Sequence, residues 1–274
     1  IVNGYNSPHS FQLKPSHAKM LEQADIIFWI GEDLENFLEK PLATITKKAE
    51  KIELLEIKGI KKLKFRERNI FEEHEGHDDH GDHTKKEEDD GHGHDAKKEE
   101  HDDHEGHGHG EYDPHIWLDP INAKVILNEI TEHLIEDDSK NTATYKSNLA
   151  KALAKIDKLI IDVITETNTN LSYVVFHDAY QYYENRFNVN ILGAMTVNPD
   201  VMPGAEQIHE IHEVIEHDNV SCILSEPQFN PDIIKSIAKD TNVKTGVLDP
   251  LGANLKPGKN LYFDLIRNIS SSFN

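Results

Sequence analysis

The sequence predicts an α/β protein, and three observations lead to that fold class. Short, nearly continuous apolar runs such as Ala24 to Ile30 are typical of strands buried on both faces of a parallel sheet. Segments of helical periodicity alternate with these runs, as they do in sheets flanked by helices. The length of 274 residues suffices for one large domain or two ordinary ones, each with its own core.

The first half begins with an extended loop that contains Ser7-Pro8-His9. Ser16 is the predicted N-cap of a helix that ends near Gln23. After the strand at Ala24 to Ile30, two short helices and a second strand are expected. They are predicted at Asp33 to Leu38, Leu42 to Ala49 and Lys51 to Ile57.

An insert from Glu72 to Gly110 differs in composition from the rest of the chain. The stretch Glu72 to Glu111 holds 17 acidic and 4 basic residues, a net charge of −13 out of the total of −21. It has almost nothing apolar to bury, so we expect it to be disordered without a ligand. Histidine pairs with acids between them favour weak, auxiliary capture of a divalent metal ion, and the alternative is a solvated spacer. The ten histidines are His74, His77, His80, His83, His92, His94, His101, His104, His107 and His109.

The second half alternates helices and strands throughout. A helix is predicted at Ile121 to Ile135, and a longer one runs from a cap at Asp138 to about Thr167. Nearly thirty residues at 1.5 Å each measure about 40 Å, which is long enough to bridge two domains. The later strands are predicted at Ser172 to Phe176, Ile191 to Val197, Val220 to Ser225 and Lys244 to Leu248, and the later helices at Ala179 to Asn185, Ala205 to His217, Pro231 to Lys239 and Asn260 to Phe273.

Three of these strands end in a polar residue, namely His177, Glu226 and Asp249. Ligand sites in open α/β sheets lie beyond the carboxyl ends of the strands, so these residues are expected to share one rim.

Two more histidines occupy stiff segments, because His9 follows a proline and His115 lies between Pro114 and Pro120. A ligand benefits from being in place before the ligated group arrives. We therefore predict that His9, His115 and His177 converge on one metal ion.

Several classes of protein are disfavoured. No window reaches the roughly 20 apolar residues of a membrane span, and no basic cluster indicates a nucleic-acid partner. Cys222 is the only cysteine, so neither a disulfide within the chain nor a thiolate metal cluster is possible. His209 and His212 fit an exposed helical pair better than a second metal site. The chain opens at Ile1 without an initiator Met or a signal sequence, so we expect the natural start to be missing or processed.

Several motifs together resemble the zinc-uptake solute-binding proteins of bacterial ABC importers (ZnuA type), in that family's order and over nearly the whole chain. Beside the His-rich insert they are Ser7-Pro8-His9, Leu13-Lys14-Pro15-Ser16, His115-Ile116-Trp117-Leu118-Asp119-Pro120, Phe176-His177-Asp178-Ala179-Tyr180, Glu226-Pro227-Gln228-Phe229 and Leu248-Asp249-Pro250-Leu251-Gly252.

The resemblance implies two lobes of parallel sheet flanked by helices, with a metal site in the cleft between them. The implied parts are an N-terminal lobe at 1–137 that contains the insert at 72–110, a rigid linking helix at 138–168 and a C-terminal lobe at 169–274. Family members usually have a strand-helix-strand unit before the first histidine motif, which is absent here, and many pair a second cysteine with the one at Cys222.

The implied metal ligands are His9, His115 and His177, with either Asp249 or a water as the fourth. Such a tetrahedral N3O set suits Zn²⁺, whereas manganese-uptake relatives generally carry a carboxylate where His177 stands. Asp178 and Glu226 are expected to orient the imidazoles.

The implied function is that of a periplasmic receptor, a monomer and not an enzyme, which binds Zn²⁺ and delivers it to an ABC permease. The insert would serve as an auxiliary zinc collector or as a sensor of zinc sufficiency. One alternative is a zinc hydrolase with Glu226 as its general base, since three histidines with an open fourth position also describe catalytic zinc. Another is metal buffering or adhesion by the insert alone.

Overall fold

The computed structural model describes residues 1–66, 68–70, 110–197, 199 and 201–274. Within these residues helices and parallel strands alternate, which confirms the α/β class. The ten histidines of the insert, and the disorder predicted for it, lie outside the described residues.

The N-terminal part contains two helices and a two-stranded parallel sheet: α1 (Pro15–Gln23), β1 (Ile26–Trp29), α2 (Glu32–Thr44) and β2 (Glu50–Glu53). Helix α1 begins at Pro15 rather than after Ser16, because proline fits the first turn, where its missing N–H is not needed. Helix α2 spans the region of the two predicted helices, with a kink at Glu35 instead of a break after Leu38, and it ends at Thr44, before the predicted Ala49. Pro41 lies only three residues before its end, and the buried Leu38 and Leu42 hold the helix on the core across the proline.

Two long helices follow a short 3-10 turn at Ile116–Leu118, namely α3 (Pro120–Asp137) and α4 (Thr142–Glu166). Asp119 caps α3, since its Oδ1 accepts a hydrogen bond from the Ile121 N–H at 2.8 Å. A 3-10 turn at Ser139–Asn141 precedes α4, so the long helix starts later than predicted, and its 25 residues measure about 38 Å. No helix among the described residues combines the length and the apolar character needed to cross a membrane.

The C-terminal part is a four-stranded parallel sheet in the order β4-β3-β5-β6 with helices between the strands. Its elements are β3 (Ser172–His177), α5 (Gln181–Phe187), β4 (Asn190–Thr196), α6 (Ala205–His217), β5 (Cys222–Ser225), α7 (Asp232–Thr241), β6 (Lys244–Val247) and α8 (Leu261–Ser272). The predicted rim is confirmed, because β3, β5 and β6 end at or just before His177, Glu226 and Asp249 at the same edge.

One apolar core runs through both parts of the chain. Ile52 and Leu55 at the end of β2 belong to the same buried cluster as Tyr173, Leu224 and the α4 residue Leu159. Helix α4 packs against α3 on the N-terminal side and against α8 on the C-terminal side. The long helix and this shared core together fix the two sheets relative to each other.

Residues 63–66 and 68–70, which precede the insert, contact the C-terminal part of the fold. Arg66 donates to Asp178 Oδ1 at 3.0 Å and to Glu184 Oε2 at 2.6 Å. The backbone carbonyl of Asn69 accepts a hydrogen bond from the Ala194 N–H at 2.8 Å, and the Asn69 side-chain Nδ2 donates one to the Met195 carbonyl at 2.8 Å. The chain therefore enters the insert along the outer edge of β4.

Candidate metal centre

Three imidazoles converge between the two parts of the fold, as predicted for His9, His115 and His177. The Nε2 atom of His115 lies 3.3 Å from the Nε2 of His9 and 3.3 Å from the Nε2 of His177. The three ligand atoms all lie within 4.8 Å of one another. Zn–N bonds of about 2.0–2.1 Å in a tetrahedron place neighbouring nitrogens roughly 3.3–3.4 Å apart. The two closest separations thus match a tetrahedral zinc site.

His115 is held by the residue two positions before it. The Asp113 Oδ1 accepts a hydrogen bond from the His115 backbone N–H at 2.9 Å and from the ring Nδ1 at 2.7 Å. Asp113 and His115 are both buried, at 2% and 3% exposure. Because the carboxylate accepts a hydrogen bond from Nδ1–H, the ring proton stays on Nδ1 and Nε2 keeps its lone pair for a metal ion.

His177 is the last residue of β3, and a carboxylate from the end of β5 holds its ring in the same way. The His177 Nδ1 donates to Glu226 Oε1 at 2.8 Å, and both side chains are almost fully buried. The adjacent strands β3 and β5 supply one partner each, so the sheet register places the carboxylate behind the imidazole. The rings of Phe229 and His177 meet edge to face, with centroids 5.7 Å apart.

Burial and neighbouring charge move the pKa values of these groups in opposite directions. Burial lowers the pKa of His115 well below its usual value, and the adjacent His177 lowers it further. Burial also disfavours the His177 cation, but the charge and hydrogen bond of Glu226 outweigh it, so the pKa of His177 is raised. Burial raises the pKa of Asp113 to about 7. The structure therefore favours a neutral imidazole at His115 and makes His177 the more basic of these two rings.

His9 completes the group from the N-terminal loop and is only half-buried. Its backbone N–H donates to the Ser7 hydroxyl at 3.2 Å, which shapes the turn at Pro8. The cavity beside the three rings has a volume of about 10 Å³, close to the roughly 10–15 Å³ that one small occupant needs. Its lining includes Trp117, Gln228 and Phe229. Since Nδ1 of His115 and of His177 already faces a carboxylate, their Nε2 atoms are the ring nitrogens that can bind one metal ion together.

Asp249, the fourth predicted ligand, does not belong to this group of three. Its Oδ1 accepts hydrogen bonds from the Leu251 N–H, the Gly252 N–H and the Gln228 side-chain amide, each at 3.0 Å. Its Oδ2 accepts from the Ala253 N–H at 2.6 Å. In the structure this carboxylate organises the loop after β6.

Of Asp178 and Glu226, the two residues expected to orient the imidazoles, only Glu226 does so in the structure through a contact with a ring. Glu226 does hold His177, but the carboxylate of Asp178 pairs with Arg66. Arg66 is distant from Asp178 in sequence. Asp113 performs the role at His115, and the sequence signal that could have identified it is the acid two residues before the histidine.

Other candidate residues lie away from this centre. His209 is 74% exposed and approaches Glu213 one helical turn further along α6, as expected for an exposed helical residue. Cys222 is half-buried in β5, and burial raises the pKa of its thiol, which disfavours a reactive role. Within the described residues, the three histidines form the one group of three or more potential metal ligands that lie this close together.

Known proteins resemble the chain in both sequence and fold. A family model described as "Zinc-uptake complex component A periplasmic" matches residues 1–274. The high-affinity zinc uptake system protein ZnuA of Brucella abortus is 45% identical over 275 residues, covering 99% of this chain and 82% of the relative. The protein of the same name from Yersinia pestis is 36% identical over 271 residues, covering 97% of this chain and 80% of the relative.

Solved structures agree in fold. A crystal structure of ZnuA superposes with a TM-score of 0.73 at 21% identity and covers 100% of this chain and 89% of that chain. A mutant structure of the laminin-binding adhesin of Streptococcus agalactiae has a TM-score of 0.72 at 20% identity, with 98% and 89% covered. At these identities the similarity concerns the fold alone. Because the family model matches the full length and relatives at 36–45% identity carry the same name, the chain belongs to the periplasmic zinc-uptake complex component A family.

Proposed function

We propose that the chain is a periplasmic solute receptor that binds Zn²⁺ through His9, His115 and His177 and delivers it to the permease of an ABC importer. The observation that carries the proposal is the pair of 3.3 Å separations between Nε2 atoms. Both buried rings have their Nδ1 protons fixed by carboxylates, so their Nε2 lone pairs point into the shared space. Membership of a zinc-uptake family supports zinc as the cargo.

A hydrolase is not supported. In that alternative Glu226 would be the general base, which must reach the water that it deprotonates. Its Oε1 instead bonds to Nδ1 of His177, on the side of the ring opposite to the proposed ion. The relatives named above are uptake proteins, which agrees with a receptor that binds and releases its ligand unchanged.

A competitive titration tests the zinc site. The chain with residues 72–109 replaced by a short Gly-Ser linker is titrated with Zn²⁺ against a chelator of known affinity. We expect one tight site, which His115→Ala and His177→Ala each weaken by more than about 100-fold, since each variant loses a ligand as well as its outer partner. His209→Ala, a histidine on an exposed helix face, serves as the matched control and keeps the affinity. Equal affinities in all four proteins would refute the assignment.

The insert is proposed to be an auxiliary zinc collector. Its ten histidines among many carboxylates favour several weak sites. Calorimetry on the full chain should then show additional, weaker zinc binding beside the tight site, and the chain with the linker should lack it. The same stoichiometry in both proteins would exclude this role.

A further inference from the structure

The entry segment, defined as residues 63–66 and 68–70 before the insert, begins beside the metal centre. The Leu63 N–H donates to the Tyr182 hydroxyl oxygen at 3.0 Å, and the Leu63 carbonyl accepts from the Asp113 N–H at 2.8 Å. The same Tyr182 hydroxyl donates to the Asp113 carbonyl at 2.8 Å. Asp113 is the residue whose carboxylate orients one imidazole of the centre. The start of the entry segment is therefore fixed against a partner of a metal ligand.

The other end of the entry segment lies on the edge of β4. Ile70 pairs with Gly193 in an antiparallel bridge and packs against the apolar core of the C-terminal part. A Cβ atom at position 193 would lie 2.7 Å from the Asn69 carbonyl oxygen, so the close approach of the two backbones requires a glycine. The entry segment is thus built into the fold at both ends.

Arg66 extends from the entry segment into the protein interior. Its Nη1 donates to Asp178 Oδ1 at 3.0 Å, and its Nη2 donates to Glu184 Oε2 at 2.6 Å. The side chains of Arg66 and Asp178 are only 19% and 6% exposed. Loss of one partner of a buried ion pair leaves an uncompensated charge in the interior. Without Arg66, the Asp178 carboxylate would have to take up a proton or move towards water.

Asp178 directly follows His177, the last residue of β3, and influences it through the backbone rather than through a bond to the ring. The Asp178 N–H donates to the Thr196 carbonyl at 3.2 Å, and the Ala179 N–H donates to the His177 carbonyl at 2.9 Å. These bonds and the ion pair with Arg66 fix the turn after the strand. A movement of the Asp178 carboxylate would therefore shift the His177 imidazole relative to the other two.

We propose that Arg66 is a positioning residue of the metal centre, which acts through Asp178 to hold His177 where it binds zinc. This inference rests on the proposed zinc site. Ligands that are held in the binding geometry before the ion arrives bind it more tightly. The entry segment is then part of the binding machinery of the receptor as well as the connection to the insert.

The test measures zinc affinity by chelator competition on the full chain with half an equivalent of zinc, so that only the tightest site is filled. Arg66→Leu should weaken zinc binding about tenfold and change the visible absorption bands of bound Co²⁺, because the His177 ring is no longer held. Asp178→Ala should have the same effects. In the double variant the two losses should not add, since both substitutions break the same contact. Arg68→Leu, the same substitution at an exposed position of the entry segment, is the matched control and should bind zinc like the wild type.

A second control separates positioning from stability. Leu159→Ala removes packing from the apolar core and should leave the zinc affinity and the Co²⁺ bands unchanged. An equal loss of affinity in this variant would mean that Arg66 matters only for the stability of the fold, which would overturn the proposal.

Two further results would overturn it. One is wild-type affinity and bands in Arg66→Leu, and the other is losses that add in the double variant, which would mean that Arg66 does not act through Asp178. If Arg66→Leu does not fold, Asp178→Ala carries the test, and wild-type affinity in that variant refutes the inference. A wild type without a tight site sensitive to His177→Ala would refute the proposed zinc site itself, so the two failures are distinguishable.

Discussion

The carboxylate behind His177 offers a quantitative test of the metal centre. Glu226 Oε1 lies 2.8 Å from the His177 Nδ1, and both residues are 3% exposed, so water cannot replace the contact at low cost. In Glu226→Ala the Nδ1–H loses its acceptor, and the proton can move to Nε2, where it blocks the metal. In Glu226→Gln an amide oxygen can still accept the bond, but the negative charge is gone.

Outer partners of ligating histidines typically contribute 10–100-fold to metal affinity, which corresponds to about 1.4–2.7 kcal/mol. We therefore expect Glu226→Ala to weaken zinc binding roughly 100-fold and Glu226→Gln roughly tenfold. The assay is chelator competition on the full chain with less than one equivalent of zinc. Glu210→Gln, on the exposed face of α6, is the matched control and should bind like the wild type. A change of less than about threefold in Glu226→Ala would refute the argument that this carboxylate prepares the imidazole.

Three further predictions follow from the same geometry and packing. Asp113→Asn should weaken zinc binding about tenfold in the competition assay. The amide oxygen can still accept the hydrogen bond from the His115 backbone N–H, but the charge that orients the ring is lost. Wild-type affinity in this variant would argue against the role of Asp113. Zinc affinity should fall as the pH decreases through the raised pKa of His177, since a proton on this ring competes with the ion. A constant zinc affinity in titrations from pH 8 to pH 5.5 would contradict this prediction. In the long helix, Leu159→Ala should lower the free energy of unfolding by about 2–5 kcal/mol in urea denaturation, because Leu159 is fully buried. Ile161→Ala, at an exposed position, should change it by less than about 0.5 kcal/mol. Equal effects of the two substitutions would contradict the shared core.

The fold class and the convergence of three histidines could be predicted because they depend on local signals. Apolar runs and helical periodicity mark the elements, and the carboxyl ends of neighbouring parallel strands necessarily meet, which brought His177 and Glu226 together. The prolines beside His9 and His115 indicated stiff ligand positions. The element boundaries were less accurate. The helices predicted at Asp33 to Leu38 and Leu42 to Ala49 are joined in α2, because packing of Leu38 and Leu42 continues the helix through Pro41.

The remaining contacts depend on parts of the chain that are distant in sequence. No local pattern indicates that Arg66 crosses to the C-terminal sheet and pairs with Asp178, leaving Asp113 to orient His115. The hydrogen bonds that occupy Asp249 arise from the path of the loop after β6 and from Gln228, and neither follows from residue type. The shared core has the same origin, since the residues at the end of β2 pack with those of β3 and β5.

X-ray absorption at the zinc edge tests the central claim most directly. The sample is the full chain loaded with half an equivalent of Zn²⁺, with His177→Ala prepared in the same way for comparison. We predict three imidazole nitrogens at about 2.0–2.1 Å and one oxygen in the wild type, and the loss of this environment in the variant. A first shell made mainly of oxygens, or a spectrum that is identical in the two proteins, would contradict zinc binding by His9, His115 and His177.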